Sequence, residues 1–176
     1  MFEKYLANAA CEKAINHIVE GDKNALSVIY DLMHKQIYAI AWSILRNNSD
    51  AEDVLQETLY EIVKCAKGYK EGNAKAWILA IARNQALKNL NSRNRNISIE
   101  SLENDIHFSI PQRTLTDSLE SFEALASLAQ EEREIVTLKV YGGLKHKEIA
   151  EIMGISVSAS EQKYHRALQK LKVYYK

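Results

Sequence analysis

The chain has 176 residues, with 23 basic and 23 acidic side chains, one proline and two cysteines. No apolar run approaches the ~20 residues that a membrane-spanning helix needs, and residues 1–15 lack the pattern of a secretory signal. We therefore expect a cytoplasmic protein without membrane insertion. Cys11 and Cys65 are expected to be free thiols, and the histidines and cysteines show no metal-ligand spacing, so the sequence predicts no metal and no cofactor.

Long segments rich in Ala, Leu, Glu, Lys and Ile repeat their apolar residues at helical spacing, which predicts an all-α fold. The first half of the chain is expected to form helices near residues 4–20, 22–46, 50–67 and 73–92. Asp22 is a candidate N-cap of the second helix, and Ser49 with Glu52 fits a capping box that opens the third. Such caps satisfy the N–H groups that the first turn of a helix leaves unpaired.

The third predicted helix has two different faces. One face is apolar or small, whereas Asp53, Gln56 and Glu57 form a polar cluster at positions i, i+3 and i+4 of the other. Solvation of an exposed helix explains such a cluster, and so does contact with a basic partner surface. The residues alone leave both interpretations open.

Residues 72–99 contain no acidic side chain. The cations of this stretch are Lys75, Arg83, Lys88, Arg93 and Arg95. An acid-free stretch of this length indicates a surface that meets phosphates. Cations near the end of a helix also interact favourably with its dipole, so charge by itself does not decide between the two interpretations.

Residues 97–117 break the helical rhythm and contain the only proline, Pro111. We interpret them as a flexible linker that spans up to ~70 Å when extended. The linker separates two small helical domains, residues 1–96 and 118–176, the first expected to be a helical bundle.

Residues 137–168 have the pattern of a helix, a tight turn and a second helix. Ala150 allows the two helices to cross closely, Gly154 can adopt the left-handed conformation that ends the first, and Ser156 is a good N-cap for the second. This pattern predicts a helix-turn-helix, whose common use is to lay its second helix in the major groove of DNA. An ordinary helical hairpin in a core is the alternative.

Three motifs occur in a fixed order along the chain. They are D-A-E-D-x-x-Q-E-T at 50–58, A-W-I-x-x-I-A-R-N-x-A-L at 76–87, and E-E-R-E-I-V-x-L-K-x-x-x-G-L-x-x-K-E-I-A-E-I-M-G-I-S-V at 131–157. With these motifs the chain resembles an RNA polymerase sigma factor of the sigma-70 family, extracytoplasmic-function (ECF) type, over essentially its whole length.

The resemblance implies a transcription initiation factor that binds core RNA polymerase, directs it to specific promoter DNA and helps to open the duplex, and that is not itself an enzyme. An anti-sigma protein is a further candidate partner. The polymerase-binding residues that it implies are Asp53, Gln56 and Glu57. Those implied for the minus-ten element are Tyr69, Lys70, Asn73, Lys75, Arg83, Lys88, Arg93 and Arg95. Those implied for the minus-thirty-five element are Ser156, Ser158, Glu161, Gln162, Lys163, His165 and Arg166.

The match departs from the family in the second helix of the helix-turn-helix. Ser160 stands where the family has a buried apolar residue, and Glu161 stands where it has a cation on the DNA-facing side. We expect Ser160 to weaken packing, and we expect Glu161 to repel phosphates, although a carboxylate can accept a hydrogen bond from cytosine. Either the promoter sequence is unusual or upstream binding is weak.

A second function fits part of the sequence. A stand-alone helix-turn-helix regulator would use residues 1–96 as a dimerisation or sensing domain and bind a palindrome without polymerase. An enzyme of nucleic-acid or phosphate chemistry is disfavoured, because the sequence contains no phosphate-binding glycine loop and no nucleophile–base pattern.

Overall fold

A computed structural model describes residues 2–96 and 123–174, and the predicted linker, residues 97–117, lies outside these ranges. The described residues form helices and turns without a strand, so the predicted all-α class is confirmed. The helices are α1 (Phe2–Val19), α2 (Leu26–Leu45), α3 (Asn48–Cys65), α4 (Ala74–Asn96), α5 (Gln130–Val140), α6 (His146–Met153) and α7 (Val157–Tyr174). None of the helices in the described ranges is long and apolar enough to cross a membrane. Cys11 and Cys65 are free thiols, as predicted.

The N-terminal caps of the first domain agree with the sequence in one of two places. The Asp22 carboxylate accepts from the backbone N–H of Asn24 at 2.9 Å and caps the 3-10 turn that leads into α2. At α3 the predicted capping box of Ser49 and Glu52 is wrong. The cap is Asn47, whose side chain accepts from the N–H of Asp50 at 3.0 Å. Asparagine caps as well as serine does, and this earlier start lengthens the helix.

The C-terminal half of α2 is buried on every side. Residues 39–45 are all buried, including the large side chain of Trp42. A helix buried all round needs neighbours on all faces. Helices α1, α3 and α4 contact α2, and so does α5 from the second domain.

The second domain has the predicted helix-turn-helix. Gly154 ends α6 in the left-handed conformation, with φ 66° and ψ 35°, and Ile155 donates its N–H to the carbonyl of Ala150 at 3.0 Å. The Ser156 hydroxyl accepts from the N–H of Ala159 at 3.1 Å, so the predicted N-cap of α7 is confirmed.

The two domains share one core. Ile78 and Leu79 of α4 belong to the same buried cluster as Ile135 and Leu138 of α5. Arg133 of α5, 4% exposed, donates from its guanidinium to the carbonyl of Ser43. Ser43 lies in the last turn of α2, where carbonyls have no partner within the helix. The second domain thus completes both the apolar packing and the hydrogen bonding of α2.

The turn after α5 depends on the absence of a side chain at Gly142. A Cβ at this position would lie 2.6 Å from the carbonyl oxygen of Leu138 and 2.8 Å from Leu79 Cδ1. We expect Gly142→Ala to lower the free energy of unfolding by ~1–3 kcal/mol through overpacking, because the Leu138 backbone cannot give way. Urea unfolding checks this. Gly68→Ala is the control, since nothing lies within 4 Å of its Cβ position, and equal midpoints for the two variants would contradict the expectation.

Candidate nucleic-acid interface

The polar stripe predicted on α3 is exposed. Asp53, Gln56 and Glu57 all face solvent. The opposite face of the helix is buried at Val54, Thr58 and Ile62, and it anchors α3 in the first domain. The stripe therefore lies on a rigid element and presents two carboxylates and an amide.

Tyr60 extends this stripe by one turn and was not identified from the sequence. Its side chain is 68% exposed, and Lys64 Nζ lies 5.6 Å from the centre of its ring. The spacing of three residues from Glu57 was the available signal, because i and i+3 share a helix face.

Tyr69 lies in the loop between α3 and α4 but is held against the first domain. Its hydroxyl donates to the Glu12 carboxylate at 3.3 Å, and its ring packs 5.1 Å from that of Trp77. Burial, together with the nearby Glu12 charge, raises the pKa of Tyr69 to about 12. The ring is therefore engaged inside the domain, whereas Lys70 beside it is exposed.

Asn73 has two contacts. Its side-chain oxygen accepts from the N–H of Ala76 at 3.1 Å and caps the start of α4. Its side-chain nitrogen donates to the Glu148 carboxylate of α6 at 2.7 Å. The other Glu148 oxygen accepts from the N–H of Lys145 at 2.7 Å, so this carboxylate joins the loop of the first domain to the start of the helix-turn-helix.

Arg83 forms a buried ion pair between the domains. Its Nε lies 2.7 Å from Glu134 Oε2, and the side chains are 16% and 1% exposed. Gln130 donates to the other Glu134 oxygen at 2.9 Å, and Arg83 also donates to the carbonyl of Ile152. Both carboxylate oxygens are thus satisfied, which a buried ion pair requires in order to be tolerated.

The remaining cations of the acid-free stretch differ in their surroundings. Lys75 is only 8% exposed, contrary to the surface position that phosphate contact requires. Arg93 pairs with Asp50 of α3, and Lys88 is exposed. Arg95 lies on α4, and its side chain falls outside the described residues. Arginines of a stretch that contains no acidic residue therefore pair with carboxylates on other helices.

Most of the residues predicted to read the upstream element share the exposed face of α7. The exposed ones on and just before the helix are Ser156, Ser158, Glu161, Gln162, His165 and Arg166. Lys163 is half-buried and pairs with Glu131 of α5. The inward face contains Ala167, which is buried, and Tyr164 and Leu171, which pack against the core.

Ser160 is buried but not unpaired. It is 0% exposed, and its Oγ lies 3.0 Å from Nδ1 of His146 on α6. The expected packing penalty at Ser160 is therefore reduced, because a buried hydroxyl costs about 1–3 kcal/mol only when it lacks a partner. Burial, followed by the nearby charge of Lys139, lowers the pKa of His146.

The matches to known families follow the two helical domains. Residues 29–96 match the model of sigma-70 region 2, and residues 122–171 match the model of sigma-70 region 4. The chain belongs to the sigma-70 family and is an ECF-type sigma factor. It is therefore a transcription initiation factor that acts with RNA polymerase, and the stand-alone regulator is not favoured.

Relatives of this sigma factor are similar along most of its length. It is 28% identical to the ECF RNA polymerase sigma factor SigE of Mycolicibacterium smegmatis, over 88% of this chain and 64% of that protein. It is 26% identical to the ECF RNA polymerase sigma factor SigM of Bacillus subtilis, over 84% and 93% respectively. Among solved structures, the sigma factor RpoE in complex with the anti-sigma factor NepR from Bartonella quintana matches with a TM-score of 0.71 and 25% identity, covering 81% of this chain and 91% of that one.

CnrH, solved in complex with the cytosolic domain of CnrY, has the same fold. It matches with a TM-score of 0.67 and 18% identity, covering 94% of this chain and 97% of that one.

In the described part of the present chain, no group of three or more His, Cys, Asp or Glu side chains could hold a metal ion.

The Arg83–Glu134 pair is expected to stabilise the contact between the domains. Glu134→Gln should lower the free energy of unfolding by ~2–4 kcal/mol, since it leaves a mostly buried guanidinium without its charge partner. Glu131→Gln, on the same helix, removes the partner of Lys163 from a carboxylate that is 63% exposed, and should cost less than ~1 kcal/mol. Denaturant unfolding of both variants tests the difference, and equal losses would contradict it.

The lowered pKa of His146 predicts that acid weakens the second domain. The unfolded chain has an ordinary histidine pKa of 6.5 and binds the proton more readily than the folded chain does. This contribution to stability is therefore complete above pH 6.5 and is lost as the pH falls through the folded pKa. The unfolding midpoint should therefore decrease when the pH is lowered from about 7.5 to about 5.5. The decrease should be smaller in His146→Asn. An unchanged pH dependence in that variant would assign the effect to other groups.

Proposed function

We propose that residues 1–96 bind core RNA polymerase and the minus-ten element, that residues 118–176 read the minus-thirty-five element, and that residues 97–117 connect them. The order of the two regional matches, 29–96 and then 122–171, is the observation that carries this assignment. The protein acts as a non-enzymatic factor in the cytoplasm, where its polymerase and promoter partners are.

The α3 stripe is the proposed polymerase contact. Asp53, Gln56 and Glu57 are exposed on a helix whose other face is locked in the core. Carboxylates on a rigid face attract a basic partner surface and orient its approach. The side-chain amide of Gln56 adds a donor and an acceptor that fix the register of the contact.

The side chains proposed for the minus-ten surface differ in whether they are free to contact DNA in this structure. Lys70 and Lys88 are exposed and suited to phosphates, and Arg93 reaches solvent beside Asp50. Asn73 and Arg83, in contrast, hold Glu148 and Glu134 of the second domain.

A base edge or a phosphate has to replace these carboxylates before Asn73 and Arg83 can bind DNA. Carboxylate and phosphate make similar charged hydrogen bonds with a guanidinium. Arg83 would therefore keep the same kind of interaction when a phosphate replaces the Glu134 carboxylate. The proposed DNA-bound form therefore has the second domain moved away from α4. Tyr69 and Lys75, which are held inside the first domain, support the loop, and Arg95 stays a predicted phosphate contact.

The minus-thirty-five surface is proposed to be the exposed face of α7 and the turn before it. Ser156 and Ser158 lie at the start of the helix, where hydroxyls and backbone N–H groups can contact a phosphate. The residues proposed to follow them along the groove are Glu161, Gln162, Lys163, His165 and Arg166. Glu161 favours a cytosine amine over phosphate, which predicts an upstream element with its own base preference.

Regulation by a partner protein is part of the proposal. The net charge is zero, and carboxylates contact several of the predicted DNA contacts, namely Asn73, Arg83, Arg93 and Lys163. The isolated chain is therefore expected to bind promoter DNA weakly. The similar factor RpoE was solved with an anti-sigma factor, and we propose a partner of that class for this chain.

Transcription with purified components tests the function. This chain with core RNA polymerase should give promoter-selective run-off products, and neither should do so alone. Glu57→Lys should weaken polymerase binding by about tenfold or more, because it places a cation against a basic surface, where like charges cost several kcal/mol. Glu151→Lys makes the same charge change on α6, where the side chain is also exposed, and should leave polymerase binding unchanged.

Two outcomes would contradict this assignment. The absence of any promoter-selective product on genomic DNA would argue against a sigma factor. Tight binding of a dimer to a palindrome without polymerase would support the stand-alone regulator instead.

A further inference from the structure

His146 and Ser160 connect the two helices of the helix-turn-helix. His146 is the first residue of α6, and its Nδ1 lies 3.0 Å from the hydroxyl of Ser160 on α7. The same imidazole packs against the Tyr164 ring in a T-shaped arrangement, with 5.4 Å between centroids and 63° between planes. Ser160 and Tyr164 are one helical turn apart, so one histidine contacts α7 at two points along its axis.

The histidine itself is on a fixed element. Glu148 accepts from the N–H of Lys145 at 2.7 Å and closes the start of α6. Ile149 and Ala150, in the next turn, are buried. The contacts of His146 therefore hold α7 against α6, a helix that cannot easily rotate.

Two contacts one turn apart restrict the rotation of α7 about its own axis. Side-chain groups lie ~5–6 Å from a helix axis, so a rotation of ~10° moves them by ~1 Å. A shift of that size takes a base contact out of the ~2.7–3.2 Å range of a hydrogen bond. The exposed residues Glu161, Gln162 and Arg166 lie on α7 and would move with it.

We propose that His146 and Ser160 act as a matched pair that positions α7, and that this pair determines which upstream bases the helix reads. The inference rests on the proposed reading of the minus-thirty-five element by α7. Neither side chain touches DNA in this account. They are positioning residues, and each needs the other, because an apolar residue at 160 would leave the imidazole nitrogen without its hydroxyl.

The surroundings of the imidazole favour its neutral form. Burial is the largest cause and lowers its pKa, Lys139 of α5 and His165 of α7 lower the pKa further, and Glu161 of α7 raises it. A neutral ring accepts from the Ser160 hydroxyl at Nδ1 or donates to it in the other tautomer. The hydrogen bond is thus available in either tautomer near neutral pH.

A library experiment tests the pair in the complete complex. Core RNA polymerase with each variant transcribes templates whose upstream element is randomised and whose minus-ten region comes from a promoter that the wild-type chain uses. Ser160→Ala and His146→Gln should change the base preference by about tenfold at one or more upstream positions, the factor that corresponds to ~1.4 kcal/mol and to one base contact.

Two variants serve as controls. His146→Asn places an amide near the Nδ1 position and should retain the wild-type preference. Thr137→Val removes an equally buried hydroxyl from α5, where it donates to the carbonyl of Arg133. It should lower stability without changing the preference.

The outcomes separate the two levels of the proposal. If Ser160→Ala and His146→Gln reduce transcription by the same factor on every upstream sequence, the pair only stabilises the domain and its positioning role is wrong. If the wild-type complex itself shows no upstream preference, the proposed minus-thirty-five reading is wrong, and the role of the pair with it.

Discussion

The packing of α5 over α2 and α4 determines the positions of the other elements of the second domain. Arg133 satisfies a carbonyl in the last turn of α2, and Arg83 of α4 pairs with Glu134. Both guanidinium groups are largely removed from water, so each is stable only while its acceptors stay in place. The apolar residues around them exclude solvent and strengthen these contacts. Together with the contacts that Asn73 and Arg83 make to Glu148 and the Ile152 carbonyl of α6, this interface sets the position of α6 and α7 relative to the first domain.

The same interface limits which side chains can meet DNA. Arg83 and Asn73 have the chemistry to bind a phosphate and a base edge, but carboxylates of the second domain occupy both. Exposed cations such as Lys70 and Lys88 have no such restriction in their position. In the proposed promoter complex, nucleic-acid groups would replace these protein carboxylates, and the balance between the two electrostatic interactions would decide whether Asn73 and Arg83 can bind DNA. If Asn73 and Arg83 bind DNA as we propose, the stability of the packed form and the affinity for promoter DNA oppose each other.

Several site residues could be predicted from the sequence because their spacing is local. The exposed stripe at Asp53, Gln56 and Glu57 follows from helix periodicity, and the Gly154 turn follows from the conformational freedom of glycine. The acid-free stretch was a weaker guide, because Arg93 and Arg83 find acids on other helices. The cap of α3 was misplaced because several neighbouring side chains at its start are capable of capping, and local pattern does not choose among them.

The sequence by itself determined the helices, the helix-turn-helix, the order of the two sigma regions and the family. These properties depend on residues a few positions apart, whose relation is set by the 3.6-residue period of a helix and by capping chemistry. Only the tertiary structure decided which polar side chains are exposed and which are paired within the protein. Arg83 and Glu134 are 51 positions apart, and His146 and Ser160 are 14 apart. Such pairs form because packed helices bring them together and exclude water, a condition that no local pattern records.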